Sequence, residues 1–254
     1  MDVTTLGTGA PLAKGRATVG LLVNAPGCTP LLIDTCGGFE IIDRLRGAGA
    51  FDKTLKNVIV THRHGDHIGG AMALLIGLRS LTFFGLADTL GAVQGLMAGC
   101  FPELSGVLEL HSDFVPVRAG DRREIGGFSV SFFEVSHRVP TVAVRVSHGG
   151  KTLAYSADSL PCDGLIECAR GVDLFICDAL CTRQDTNPEG GLRAHDLKHP
   201  TAFDAAQMAA TAGAKALALV HLARFTNPVS VLAEAKTVYQ GPLSVPADGS
   251  CYSL

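Results

Sequence analysis

The chain has 254 residues, of which 47% are hydrophobic, and its 21 basic and 24 acidic residues give a net charge of −3. A chain of this length buries a core without disulfide or metal staples, which excludes collagen-like, disordered and small disulfide-rich proteins. The acidic balance lacks the basic surplus that is typical of proteins binding long nucleic acids.

The cysteines and the N-terminus indicate a cellular compartment. No two of the eight cysteines form a CxxC pair, and several lie in apolar segments, as Cys177 does in DLFICDAL. This usage is typical of buried free thiols in a reducing cytosol. The N-terminal MDVTTLGTGAP lacks the basic and apolar regions of a secretory signal, and no apolar run approaches the ~20 residues that cross a bilayer. The sequence therefore predicts a cytoplasmic protein without a membrane partner.

Short apolar segments bounded by Gly, Pro, Asp or Asn predict strands, and amphipathic segments between some of them predict helices. In chain order, the predicted strands are Asp2–Leu6, Val19–Asn24, Leu31–Asp34, Asn57–Thr61, Ser80–Phe84, Phe128–Glu134, Thr141–Ser147, Thr152–Tyr155, Asp173–Cys177 and Lys215–Val220. The predicted helices are Phe39–Gly47, Gly70–Arg79, Thr89–Gly99 and Pro200–Ala212. This loose alternation of strands and helices predicts an α/β (α+β) fold.

The domain organisation is predicted to be simple. No Ser-rich, Gly-rich or charged linker divides the chain, which indicates a single domain over residues 1–254. Each half has antiparallel-looking strands followed by helices, so we expect two similar halves that meet near Gly106–Asp121.

The segment NVIVTHRHGDHIGG, residues 57–70, carries the strongest chemical signal. Imidazole suits Zn²⁺, and a carboxylate lets the same site hold a hard cation. A lone histidine here would be a surface residue, but four ligand-type residues within six exceed what one tetrahedral site with an open position takes from one loop. Two adjacent metals are therefore predicted, and Gly65, Gly69 and Gly70 are expected to give the loop a tight path. The four ligand-type residues are His62, His64, Asp66 and His67.

This HxHxDH loop resembles the signature of the metallo-β-lactamase superfamily, whose pattern continues with a His at a strand end, an Asp and a final His. The segments FFEVSHRVPTVAVRV, YSADS and LALVHLARF supply His137, Asp158 and His221. Taken alone, these three residues would be a loop histidine, a turn cap and a core histidine. The resemblance instead implies a first metal on His62, His64 and His137, a second on Asp66, His67 and His221, and Asp158 bridging both.

The same resemblance implies a four-layered αβ/βα sandwich with a dinuclear site on one edge. Zn²⁺ is the expected metal, and the His/Asp ligand set also admits Mn²⁺ or Fe.

Further segments resemble the ribonuclease Z-like branch of the superfamily, which also contains phosphodiesterases. They are LGTGAP at the start, LLIDTCGG at residues 31–38, and SVPADGSCYSL at the end. Residues 194–225 resemble the His-Ser-Thr motif of the branch, with His199, Pro200 and Thr201 in its place, and Arg224 lies where the branch often has an arginine.

Two departures from the branch are informative. Asp178 stands where a His-Glu-Ala-Thr segment usually supplies a glutamate, and its shorter side chain is still expected to orient His199. The long basic arm of tRNA-processing members is missing, because only residues 138–157 separate His137 from Asp158. This segment is long enough for two strands and a turn. We therefore expect small-molecule or short phosphodiester substrates and no long nucleic acid, and the resemblance suggests a homodimer.

The favoured function is hydrolysis of phosphodiester bonds by a metal-bridging hydroxide. Asp66 would orient this nucleophile or take its remaining proton, and His199, held by Asp178, would protonate the leaving group. One alternative is an ester, lactone or thioester hydrolase on the same dinuclear site. Another is a metal-binding or nucleic-acid-binding scaffold without catalytic activity.

Overall fold

The computed structural model describes residues 1–51, 54–78, 80–109, 111–188 and 190–254. Its frame is two seven-stranded mixed sheets with helices on their outer faces. The first sheet has the order β14-β1-β2-β3-β4-β5-β6. Its strands are β1 (Asp2–Gly7), β2 (Gly20–Asn24), β3 (Leu31–Ile33), β4 (Asn57–Val60), β5 (Leu81–Gly85), β6 (Ser112–Pro116) and β14 (Cys251–Ser253).

The second sheet has the order β13-β12-β11-β10-β9-β8-β7. Its strands are β7 (Arg122–Ile125), β8 (Phe128–Glu134), β9 (Val142–His148), β10 (Lys151–Tyr155), β11 (Leu174–Asp178), β12 (Leu217–Val220) and β13 (Leu243–Ser244). In each sheet, four strands pair antiparallel and the succeeding ones pair parallel. The chain passes from the first sheet to the second between Pro116 and Arg122.

Helices cover the outer face of each sheet. Those that follow strands of the first sheet are α1 (Glu40–Gly47), α2 (Gly65–Ile68), α3 (Ala71–Gly77), α4 (Ala87–Cys100) and α5 (Pro102–Glu109). Those of the second half are α6 (Asp163–Ala169), α7 (Ala202–Ala212) and α8 (Pro228–Lys236). None of the helices in the described ranges is long and apolar enough to cross a membrane.

Three hydrophobic clusters define four layers. One lies between the two sheets and includes Leu21, Ile33 and Val144, whereas the other two lie between each sheet and its helices. Leu22, between two residues of the central cluster, faces the helices instead. Strands buried on both faces read as continuous apolar runs, as they do here. The predicted four-layered αβ/βα sandwich is confirmed.

The predicted elements match the structure closely where the sequence is apolar. Each predicted strand coincides with an observed one to within two residues at either end, and all four predicted helices exist. Arg79, the expected last residue of α3, lies outside the described residues, and α3 ends at Gly77. The helix α7 shows why its prediction succeeded: Thr201 and Asp204 form a capping box at its start, and Gly213 ends it with a φ of +66°.

The elements absent from the predicted strands and helices are short or polar: β6, β7, β13, β14, α2, α5, α6 and α8. In β7, three of four residues are exposed charged side chains at the edge of the sheet, so no apolar alternation marks the strand. The expectation of buried thiols was wrong for Cys100 and Cys251, which are exposed. Cys36, Cys168, Cys177 and Cys181 are buried, and all eight cysteines are free.

Candidate metal centre

Loops and strand ends at one edge of the sandwich carry the predicted site residues. The carboxyl ends of β4, β10, β11 and β12 lead into His62, Asp158, Asp178 and His221 respectively, and the loop between β8 and β9 carries His137. Ligands of open α/β sheets bind in this kind of place, outside the carboxyl ends of parallel strands. The structure brings all seven predicted metal ligands together there, in two overlapping groups, and a third group joins Asp158 and His221 with Asp178 and His199.

The first group converges on three ring nitrogens. His64 Nδ1 lies 3.1 Å from His62 Nε2 and 3.2 Å from His137 Nε2. Asp158 Oδ2 lies 3.6 Å from His62 Nε2 and 3.8 Å from His137 Nε2. The side chains of His62, His137 and Asp158 are almost completely buried.

The second group has four donor atoms at nearly equal spacing. Asp66 Oδ2 lies 3.4 Å from His67 Nε2 and 3.3 Å from His221 Nε2. Asp158 Oδ2, the oxygen that also faces the first group, lies 3.4 Å and 3.5 Å from the same two nitrogens.

These spacings fit divalent cations. With metal–nitrogen bonds of ~2.0–2.1 Å, two ligands of a tetrahedral site lie about 3.3 Å apart. Among the described residues, His67 Nε2 and Asp158 Oδ1 are also buried atoms without a hydrogen-bond partner. Such atoms are rare unless an ion or water satisfies them. The donor types, their spacing and these unsatisfied atoms all fit a site for metal ions.

The charges around the site shift the pKa values of its carboxylates and histidines. Burial alone would raise the pKa of Asp158, but the charges of His221 and His67 hold it well below its usual range. Burial would lower the pKa of His221, whereas Asp158 and Asp178 raise it to about 10. The pKa of Asp66 is also lowered, because the effect of His67 and His221 on it is larger than the opposite effect of burial. Both carboxylates therefore carry the negative charge that attracts a cation.

Asp34 orients His67 and was not identified as a site residue from the sequence. Its buried carboxylate accepts hydrogen bonds from His67 Nδ1 (2.7 Å), the Thr61 hydroxyl (2.9 Å) and the Tyr155 hydroxyl (3.0 Å). When the ring is neutral with its proton on Nδ1, Nε2 has a lone pair for a metal, a common arrangement around metal-bound histidines. The sequence feature that could have identified Asp34 is its place directly after the apolar run of LLIDTCGG.

His199 and Asp178 lie beside the metal ligands. His199 Nδ1 donates a hydrogen bond to Asp178 Oδ2 (2.7 Å), and its ring stacks on that of His221 with centroids 4.9 Å apart. The other carboxylate oxygen of Asp178 lies 3.4 Å from His221 Nδ1. Asp178 thus contacts both rings, and His199, whose side chain is 12% exposed, borders the open side of the site.

A cavity of about 420 Å³ opens onto these residues. It is lined by four of the histidines, His64, His137, His199 and His221. Its apolar lining includes Leu12, Leu180, Leu197 and Phe225, and its basic lining consists of Arg138 and Arg224. A cavity of this volume, lined by apolar residues and a few charged or polar ones, is typical of a small-molecule site.

Several residues around the site adopt unfavourable backbone conformations. Asp34, Ala157, Lys198 and His221 are not glycines, yet their φ angles lie between +51° and +65°. Such conformations cost of order 1–3 kcal/mol each and persist only where surrounding contacts hold them. For His221, the backbone N–H donates to the Thr8 carbonyl (2.8 Å), which helps to aim its ring after β12 ends.

The metal-ligand loop packs directly on the segment that follows β3. Gly70 N–H donates to the Cys36 carbonyl (3.1 Å) and Thr35 N–H to the His67 carbonyl (2.8 Å). A Cβ at Gly70 would overlap the Thr35 carbonyl oxygen, and one at Gly69 would overlap that of Gly37. A Cβ at Gly65 would meet nothing within 4 Å. The loop therefore requires two of the three glycines, and the expectation for Gly65 was wrong.

We expect Gly70→Ala to lower the free energy of unfolding by about 1–3 kcal/mol, because the added methyl forces two backbone segments apart. Gly65→Ala is the matched control and should change it by less than about 0.5 kcal/mol. Urea unfolding of both variants measures the difference. Equal stabilities would show that the two segments separate without cost.

Comparison with known proteins agrees with this geometry. The model of the β-lactamase superfamily domain matches residues 29–222. Rv1339 of Mycobacterium tuberculosis is 30% identical over 256 residues, which cover 95% of this chain and 88% of that protein. A ribonuclease Z of Bradyrhizobium is 27% identical over 296 residues, covering 94% and 95% of the two chains.

YhfI, a probable metallo-hydrolase of Bacillus subtilis, is 28% identical over 250 residues, which cover 98% of each protein. Its crystal structure superposes with a TM-score of 0.80 at 25% identity and covers 99% of both chains. The resemblance seen in the sequence is thereby confirmed. The chain belongs to the family of the β-lactamase superfamily domain.

Proposed function

We propose that this metallo-hydrolase of the β-lactamase superfamily cleaves phosphodiester bonds of small substrates at a dinuclear metal site. The observation that carries the proposal is the single oxygen Asp158 Oδ2, which lies within 3.8 Å of His62, His137, His67 and His221. One carboxylate oxygen shared by two donor groups suits two adjacent cations.

The ligand assignment follows from the two groups. His62, His64 and His137 would hold one ion, Asp66, His67 and His221 the other, and Asp158 both. Zn²⁺ suits this set, and Mn²⁺ or Fe is compatible with it. When bound, two such ions lower the pKa of a shared water and neutralise negative charge that develops on the substrate.

The residues of the chain supply positioning and proton transfer. The ionised carboxylate of Asp66 orients the attacking water from its place beside His67 and His221. His199 donates a proton to the leaving oxygen from Nε2, because Nδ1 is engaged with Asp178. Asp178 accepts this hydrogen bond at 2.7 Å and thereby orients the ring of His199.

Size and charge of the cavity favour small anionic substrates. Its volume of about 420 Å³ holds a compact molecule rather than a folded polynucleotide. Arg224 lines it and provides positive charge for a phosphodiester. The apolar lining that Leu12, Leu180 and Leu197 contribute also suits an acyl group, which supports lactone or thioester hydrolysis as the second candidate function.

A substrate panel tests the proposal. Zn²⁺-loaded protein is expected to hydrolyse bis-p-nitrophenyl phosphate faster than an acyl-homoserine lactone or a glutathione thioester. Removal of the metal with a chelator should abolish the activity, and Zn²⁺ or Mn²⁺ should restore it. Turnover of the lactone or thioester without phosphodiester cleavage would contradict the proposal and favour the second candidate. Protein that binds metal but hydrolyses none of these substrates would contradict both.

A further inference from the structure

Two consecutive residues hold three consecutive carbonyl groups of the turn that precedes His199. His137 Nδ1 donates to the Lys198 carbonyl (3.0 Å). Arg138 donates from Nη2 to the Asp196 carbonyl (2.7 Å) and from Nε to the Leu197 carbonyl (3.3 Å). The loop that carries a predicted metal ligand is thus fastened to the turn that carries the predicted proton donor.

The turn depends on such contacts. A 3₁₀ turn over His195–Leu197 ends at Lys198, whose φ of +65° reverses the chain. The His199 N–H then donates to the Ala194 carbonyl (2.9 Å), which closes the turn and directs the His199 ring toward Asp178. A non-glycine residue at positive φ is unfavourable by itself, so contacts from outside the turn must stabilise this conformation.

The guanidinium of Arg138 is suited to this task. Its planar fork donates to two carbonyls at once, which a lysine ammonium cannot do with the same geometry. Hydrogen bonds from a charged donor are worth more than those between neutral groups. Arg138 also lines the same cavity as His199, so it adjoins the site rather than a remote surface.

We propose that Arg138 is a positioning residue that sets the place of His199 by holding the carbonyls of Asp196 and Leu197. The proposal rests on the proposed function, in which His199 protonates the leaving oxygen. It differs from a role in substrate binding, because Arg138 then acts on the leaving group through the turn and not on the phosphoryl oxygens.

Two diaryl phosphates whose leaving groups differ in basicity distinguish these roles. Bis-p-nitrophenyl phosphate releases the weakly basic nitrophenolate without a proton, whereas the more basic oxygen of diphenyl phosphate leaves as phenol when His199 donates a proton to it. Arg138→Ala is expected to lower kcat for diphenyl phosphate by about tenfold, the factor that one charge-assisted hydrogen bond is worth. It should leave kcat and KM for bis-p-nitrophenyl phosphate nearly unchanged. Arg138→Lys, which keeps the charge but not the fork, should resemble Arg138→Ala.

Arg145→Ala is the matched control, because Arg145 also donates to a backbone carbonyl, that of Arg170 (3.1 Å), but does not line the cavity. Arg145→Ala should change the rate for neither substrate. An equal loss on both substrates through a raised KM, restored by Arg138→Lys, would overturn the proposal in favour of substrate binding. Unchanged rates on both substrates for Arg138→Ala would also overturn it.

Hydrogen exchange gives a readout that does not depend on activity. The N–H groups of Leu197, Lys198 and His199 donate within the turn, so they exchange only when it opens. Arg138→Ala should speed their exchange by about tenfold, and Arg145→Ala should not. Unchanged exchange would overturn the proposal. If the wild-type protein hydrolyses neither diester, the proposed function fails, whereas exchange still decides whether Arg138 holds the turn.

Discussion

Asp158→Asn is expected to reduce phosphodiester hydrolysis to background and bound metal below two ions per chain. The substitution keeps the shape of the side chain but removes the charge of the oxygen that lies 3.4–3.8 Å from four histidine nitrogens. Loss of a contact in the outer shell of a metal site costs about 10–100-fold. Loss of a ligand shared by both ions should exceed that range. Elemental analysis after gel filtration and steady-state rates measure the two effects.

Asp173→Asn provides the matched control for this substitution. Like Asp158, Asp173 lies between β10 and β11 of the second sheet. Its carboxylate accepts hydrogen bonds from Thr152 and Lys215 and does not face the metal ligands. The control should therefore retain both ions and the wild-type rate. Circular dichroism of metal-free Asp158→Asn separates damage to the site from damage to the fold. A folded Asp158→Asn protein with two ions and undiminished activity would contradict the shared-ligand assignment.

His199→Ala is expected to lower the rate for diphenyl phosphate by about 10²-fold or more, the usual contribution of a general acid. The rate for bis-p-nitrophenyl phosphate should fall much less, because its leaving group needs no proton. Asp178→Asn should show the same dependence on the leaving group with a smaller effect, since it keeps the ring of His199 and weakens the hydrogen bond from His199 Nδ1 (2.7 Å). It also weakens the contact between Asp178 and His221 Nδ1 (3.4 Å).

The controls for His199→Ala concern metal content and surface charge. The ring of His199 stacks on His221 but belongs to neither group assigned to the two ions, so metal content should stay unchanged. His111→Ala, which alters an exposed histidine, should affect neither rate. Equal losses on both diesters would show that His199 does not protonate the leaving group.

Local sequence determined the strands and the nature of the site. Runs such as NVIV and LALV are apolar because their strands are buried on both faces, and this pattern is visible without the fold. His62, His64, Asp66 and His67 lie within six residues of one another, so their common role could be inferred from spacing alone. His137, Asp158 and His221 could be proposed only through the resemblance, since nothing local relates them to that loop.

The tertiary structure decided which atoms meet. The carboxylate of Asp34 reaches His67 across 33 residues of chain and Tyr155 across 121, and the bonds from Arg138 to the turn before His199 span 58 and 59 residues. No pattern of neighbouring residues encodes such contacts, because they depend on how two sheets pack and where their loops end. The edge strand β7 was not predicted, because its exposed charged side chains reflect its position at the edge of the sheet and form no apolar pattern. The sequence by itself determined the chemistry at the edge of the sandwich, and only the packing of the two sheets decided how that chemistry is oriented.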